Sequence, residues 1–166
     1  MLRQLSVFAL LLLTTACFGQ KPSPAKEASG TIDGVEVSIN WSSPAVKGRT
    51  IWGDLVPYDK VWRTGANEAT VIRFDEDVTI EGQALPAGEY ALFTIPTEGE
   101  WTIIFNEEAA QWGAYKYDDT KDALRVRVKP QMVSDSQERL EFMVEEAGEV
   151  KMRWEKALVA FSVAAE

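Results

Sequence analysis

The stretch Thr31-Ile32-Asp33-Gly34-Val35-Glu36-Val37-Ser38-Ile39-Asn40-Trp41 decides the fold class of this chain. Asp-Gly tolerates positive φ at both positions of a two-residue loop, and the residues after it alternate strictly, placing Val35, Val37, Ile39 and Trp41 on one face. The pattern predicts a β-hairpin with one buried side. Ser42-Ser43-Pro44 then ends the strand, and a loop-rich passage follows until extended character returns over 69–74 and 78–80. Residues 90–95 and 101–105 read as an antiparallel pair joined across Pro96-Thr97-Glu98-Gly99-Glu100, and their nearly continuous apolar character predicts strands buried on both faces. Residues 107–111 read as one helical turn; 124–128, 140–144, 150–154 and 158–163 complete the chain as alternating strands. About nine strands at roughly 8 to 12 residue spacing predict an all-β, antiparallel two-sheet sandwich or jelly roll, with a β-barrel as the alternative and at most one short helix.

Upstream of the hairpin, residues 1–19 read as an export signal: Arg3 supplies the positive region, 5–13 the apolar stretch, and Thr14-Thr15-Ala16 small residues before Cys17. The apolar stretch is shorter than the ~20 residues of a membrane span. Two processing routes stay open. Leu13-Thr14-Thr15-Ala16-Cys17 resembles a lipobox, with Thr14 where leucine is usual, and would make Cys17 a lipidation site; ordinary cleavage nearby fits the same charged and apolar regions. Residues 20–29, with two prolines and two lysines, read as a tether, and 30–166 as a single β domain. The expected location is periplasmic or secreted, with membrane contact only through a lipid on Cys17.

Composition excludes several chemistries. The chain has no histidine and one cysteine, in the signal region, so imidazole bases, Ser-His-Asp triads and His or Cys metal ligation are absent. With a net charge of −9, and no run among its 17 Lys and Arg, nucleic acid is not an expected partner. No cofactor or metal is called for. Asp75-Glu76-Asp77 and Asp118-Asp119 with Asp122 lack a cation-binding loop pattern and read as solvated turns.

Two loop passages hold the candidate site residues. In 61–70, Arg63, Asn67 and Glu68 surround Gly65, a combination suited to recognising carboxylates or sugar hydroxyls. The competing reading is a structural knot, with Arg63 paired to Glu68 and Asn67 bonded to loop backbone. Trp52, Tyr58, Trp62, Trp112 and Tyr115 lie in the loop passages and are candidates for stacking on a ligand, whereas Trp41, Trp101 and Trp154 fall in strand patterns and read as core. For catalysis, the residue types leave a carboxylate pair, Glu68 with Asp54 or Asp59, as the weaker candidate.

Several of these segments occur in a fixed order. Lys47-Gly48-Arg49-Thr50-Ile51-Trp52-Gly53, Val56-Pro57-Tyr58, Val61-Trp62-Arg63-Thr64-Gly65-Ala66-Asn67-Glu68-Ala69-Thr70, 85–96 and Gln111-Trp112-Gly113-Ala114-Tyr115 resemble the hallmark segments of a bacterial exported domain-of-unknown-function family, number 2911. The resemblance implies export but carries no catalytic residue set. The functional expectation is an exported binding module for carbohydrate or cell-envelope fragments. A histidine-independent hydrolase using a carboxylate pair, and a structural or interaction protein of the envelope, are the alternatives.

Overall fold

The computed structural model describes residues 22–166. The export-signal reading and Cys17 lie outside the described residues. Ten strands are present: β1 (Ala25–Ile32), β2 (Val35–Ser42), β3 (Thr70–Phe74), β4 (Val78–Ile80), β5 (Gln83–Leu85), β6 (Gly88–Ile95), β7 (Trp101–Asn106), β8 (Asp122–Val128), β9 (Gln131–Glu145) and β10 (Glu149–Ala165). They form a six-stranded sheet in the order β1-β2-β3-β6-β7-β8 and a four-stranded sheet in the order β5-β4-β10-β9, and every pairing is antiparallel. The sandwich is adopted and the barrel alternative is not.

The β1–β2 hairpin turns at Asp33 and Gly34, with φ of 50° and 90°, the geometry of a primed turn. The first strand starts at Ala25, so residues 25–29 belong to the sheet, which corrects the tether reading of 20–29. Polar Lys26, Glu27 and Ser29 conceal the strand because β1 is an edge element whose alternate positions face solvent. Residues 107–111 form no helix; the one helical element among the described residues is a three-residue 3₁₀ turn, Asp119–Lys121, capped by the Asp118 side chain. The long β10 replaces two expected strands. At Glu155, with φ of 52°, its register against β9 shifts, so the chain bends without leaving the sheet.

Beyond Ser42 the chain changes sheets. Ser43 Oγ and Trp41 Nε1 both donate to Leu140 O at 2.8 and 2.9 Å, Leu140 N donates to Pro44 O at 3.0 Å, and Val46 N donates to Glu138 O at 2.8 Å. This corner ties β9 to the end of β2. Along the same side Lys26 bonds Glu141, and Gly30 lies so close to β9 that a Cβ there would sit 2.9 Å from Val144 Cγ1.

Between the sheets, Phe105 meets Phe161, Phe74 and Tyr90 with ring centroids 5.6, 6.3 and 6.4 Å apart, and Ile39, Ile72 and Leu140 are fully buried. A second, smaller core lies on the outer face of the large sheet, where Ala69, Ala91, Phe93 and Ile104 are buried beneath Ala114 and Tyr117. The two-faced burial expected of β6 and β7 therefore follows from a loop, residues 107–118, folded down on them. No helix among the described residues is long and apolar enough to cross a membrane.

Candidate functional site

The 61–70 passage is an excursion from a strand edge. Trp62 exchanges backbone hydrogen bonds with Thr94, and Thr70 pairs with Leu92, so residues 63–69 bulge out opposite Phe93 alone. The bulge satisfies itself internally. Thr70 N donates to Arg63 O at 3.1 Å, Thr70 Oγ1 to Thr64 O at 2.8 Å, Trp62 Nε1 to Gly65 O at 3.1 Å and Ala66 N to Ser42 O at 3.1 Å. Thr64, buried and β-branched, is held at φ of 52°, a conformation that such a network must over-determine. Gly65 is required by contact: a Cβ would stand 2.9 Å from Thr70 Oγ1 and 3.2 Å from Ser42 O.

Within this knot the expected recognition cluster separates. Asn67, at φ of 59°, turns its Nδ2 inward to Ser42 Oγ at 3.2 Å. Arg63 forms no ion pair with Glu68 or any other carboxylate among the described residues. Its Nε is buried without a partner, and burial lowers the pKa of its guanidinium, with nearby Tyr115 partly opposing that shift. Glu68 is exposed and joins Trp112 in a short antiparallel bridge. It lines a shallow depression with Lys26, Asn40 and Ser42, to which neither Asp54 nor Asp59 contributes. The carboxylate pair proposed from sequence is thus not assembled there.

Three of the loop aromatics are corrected to structural roles. Trp52 and Trp62 fold back into the sandwich end, where Trp52 meets Trp101, Trp62 and Trp154 at centroid distances of 4.7, 5.7 and 5.7 Å, and Trp62 stacks on Trp154 at 5.7 Å. Tyr58 is half-buried against Gly53, whose missing Cβ leaves room for its ring at 3.0 Å. Apolar strand ends need plugging, and these rings do it. Trp41, Trp101 and Trp154 are buried as expected.

Trp112 and Tyr115 behave differently: they are 60% and 87% exposed. Both line a cleft of about 510 Å³ together with Glu108, Gln111, Lys116, Asp118 and Lys121. The loop carrying them is anchored from below. Asn106, fully buried at the end of β7, donates through Nδ2 to Asp118 O at 2.9 Å and Asp122 Oδ1 at 2.8 Å. Its Oδ1 accepts from Glu108 N at 3.1 Å and Gln111 Nε2 at 3.4 Å, so one amide holds both ends of the loop. Tyr117 packs on Phe93 at 5.0 Å, donates to Asp122 Oδ2 at 2.6 Å and accepts from Arg125 Nη2 at 2.8 Å. Burial, followed by the hydrogen bond to Asp122, pushes its phenol far above the ordinary tyrosine range.

The two passages meet side by side. Ala69 N donates to Gln111 O at 3.0 Å and Gly113 N to Asn67 O at 3.1 Å, so the knot is the buttress of the aromatic loop. Gly113, at φ of 66°, lets the Tyr115 ring lie where a Cβ would be only 3.1 Å away, with Arg63 Cδ alongside. The acidic turns use their carboxylates locally: Asp75 Oδ1 accepts from Glu36 N, Asp77 Oδ1 from Ala87 N, and Asp118 Oδ1 from Thr120 N.

The chain belongs to the family described as "Protein of unknown function (DUF2911)", which it matches over residues 23–163. No curated protein and no solved structure matches the chain. The family match includes β1 and ends within β10, so it spans both sheets and the aromatic loop. Asn106, Gln111, Lys116 and Lys121 were not singled out from sequence. An asparagine closing an apolar strand was the available signal for the first, since a buried amide there needs partners at a loop base.

Proposed function

We propose that this member of the family is an exported binding module whose ligand, a saccharide or cell-envelope fragment, is taken by the Trp112–Tyr115 cleft. The observation carrying this reading is that these two rings stand exposed over one cleft while the other loop tryptophans are folded into the sandwich end. Aromatic faces pay a hydration cost in water and pair well with the C–H faces of sugar rings, while Gln111, Lys116 and Lys121 offer hydrogen-bond donors to hydroxyl and carbonyl oxygens. The cleft volume is in the range of small-ligand sites, ~300–1,000 Å³. Its loop is anchored at Asn106, at Tyr117 and along residues 67–69, so little ordering is required on binding.

The test is isothermal titration with a panel of envelope and environmental oligosaccharides, using wild type, Trp112→Ala and Tyr115→Ala. Both side chains are exposed, so both variants are expected to stay folded. Saturable binding in wild type, weakened by at least about tenfold in each variant, is the expected result. Absence of heat across the panel, or variants that bind as wild type does, would reject the reading.

A further inference from the structure

The sequence contains Arg125-Val126-Arg127-Val128-Lys129, in which no two cations are adjacent. In β8 the alternation sorts them: Val126 and Val128 are buried, whereas Arg125 and Arg127 are exposed on the opposite face, and Lys129, the residue after the strand, is exposed too. That face is the outer one, since Arg125 reaches Tyr117 on the aromatic loop. The absence of a run among the Lys and Arg holds, yet strand alternation gathers alternate cations as a stripe on one face.

The stripe is continuous with the cleft. Lys121, on the cleft wall, closes the 3₁₀ turn that leads directly into β8, and β8 is an edge strand bonded only to β7 among the described residues. From Arg125 to Lys129 the exposed positions extend about 13 Å at the usual rise of a strand. Between residues 116 and 129 five Lys and Arg face three Asp, in a chain whose net charge is −9. Two of those three carboxylates are engaged by neighbours: Asp118 accepts from the Thr120 amide and hydroxyl, and Asp122 from Arg125, Tyr117 and Asn106. Lys116, Lys121, Arg127 and Lys129 form no ion pair among the described residues, and the carboxylates lining the cleft beside Lys116 and Lys121 are Glu108 and Asp118.

We propose that the ligand is an extended acidic saccharide, one sugar ring seated in the Trp112–Tyr115 cleft and its carboxylate-bearing continuation lying along Arg127 on the outer face of β8 toward Lys129 just past the strand's end. The inference rests on the binding reading of the same cleft and names the class of ligand it takes. Aromatic rings supply affinity for the sugar face, and the cations select among sugars by charge. Among the described residues β8 is the edge strand of its sheet and Arg127 and Lys129 are exposed, which leaves these cations accessible.

The test is isothermal titration of the protein with neutral glucan oligomers and with uronate oligomers of matched length, at low salt and in ~0.5 M salt, where screening is strong. Uronates are expected to bind at least about tenfold tighter than neutral oligomers at low salt, with the difference collapsing in high salt. Arg127→Gln with Lys129→Gln is expected to weaken the longer uronates roughly fivefold, and Lys116→Gln with Lys121→Gln to weaken all of them. Lys47→Gln, at the β2–β9 corner, is the control and should bind as wild type does. Thermal unfolding checks that the variants are folded, as their exposure predicts. Equal binding of neutral and acidic oligomers, or wild-type affinity in both double variants, overturns the acidic-ligand inference while leaving the cleft reading intact. Binding of neither series rejects both. A polynucleotide that competes as well as the uronate also overturns the proposal, because the stripe would then be a general polyanion surface.

Discussion

Replacing Asn106 with alanine tests the account of how the aromatic loop is held. The side chain makes four hydrogen bonds, at 2.8, 2.9, 3.1 and 3.4 Å, and is fully buried. A net value of about 1 kcal/mol for each of the three shorter bonds gives about 3 kcal/mol. Leaving Asp118 O and Asp122 Oδ1 without the Asn106 donor adds a desolvation cost, whereas water entering beside the exposed Glu108 relieves part of it. The expected loss is therefore about 2 to 4 kcal/mol. For a domain of this length, each kcal/mol lowers Tm by about 2 to 4 °C, so a fall of roughly 4 to 16 °C is expected. Urea unfolding measures the global loss, and limited proteolysis or amide exchange across residues 107–118 measures the local one. Loss should be concentrated in that loop, with β1 and β2 protected as in wild type. A destabilisation below about 1 kcal/mol, or protection of the loop unchanged, would refute the clamp.

Three further outcomes follow from the same geometry. Gly65→Ala should cost about 1 to 3 kcal/mol in chemical denaturation, because its Cβ meets Thr70 Oγ1 and a backbone carbonyl inside a closed network; wild-type stability would show that the knot yields freely. Arg63→Met should change stability by less than about 1 kcal/mol, since it replaces a desolvated, unpaired guanidinium with an apolar chain of similar length; a loss above about 2 kcal/mol would reveal a partner for the charge. The folded-state pKa of Tyr117 lies above its unfolded value, so its contribution is fully present below about pH 10 and is lost as pH rises past the unfolded pKa toward the folded one. Tyr117→Phe should accordingly flatten the alkaline decline in stability above about pH 10, and an unchanged decline would assign it to other groups.

Local sequence specifies the part of this protein governed by neighbours along the chain. Asp33-Gly34 sets a two-residue turn, and the alternation of Val35, Val37, Ile39 and Trp41 selects the buried face, because side chains two apart share a side of a strand. The apolar runs of β6 and β7 likewise specify burial on both faces, whichever segment covers the outer one. Tertiary structure decided what depends on distant partners. Trp41 bonds Leu140 across 99 residues, and the aromatic residues of the loops were sorted into plugs and exposed rings only when the strand ends came together. Residues 25–29 became sheet by pairing with β2, although their composition is that of a linker. Asn106 became the anchor of the candidate site because burial at a strand end obliges its amide to find partners in the returning chain. Local pattern can specify which face of an element avoids water; only the assembled sheets settle which loops remain in it.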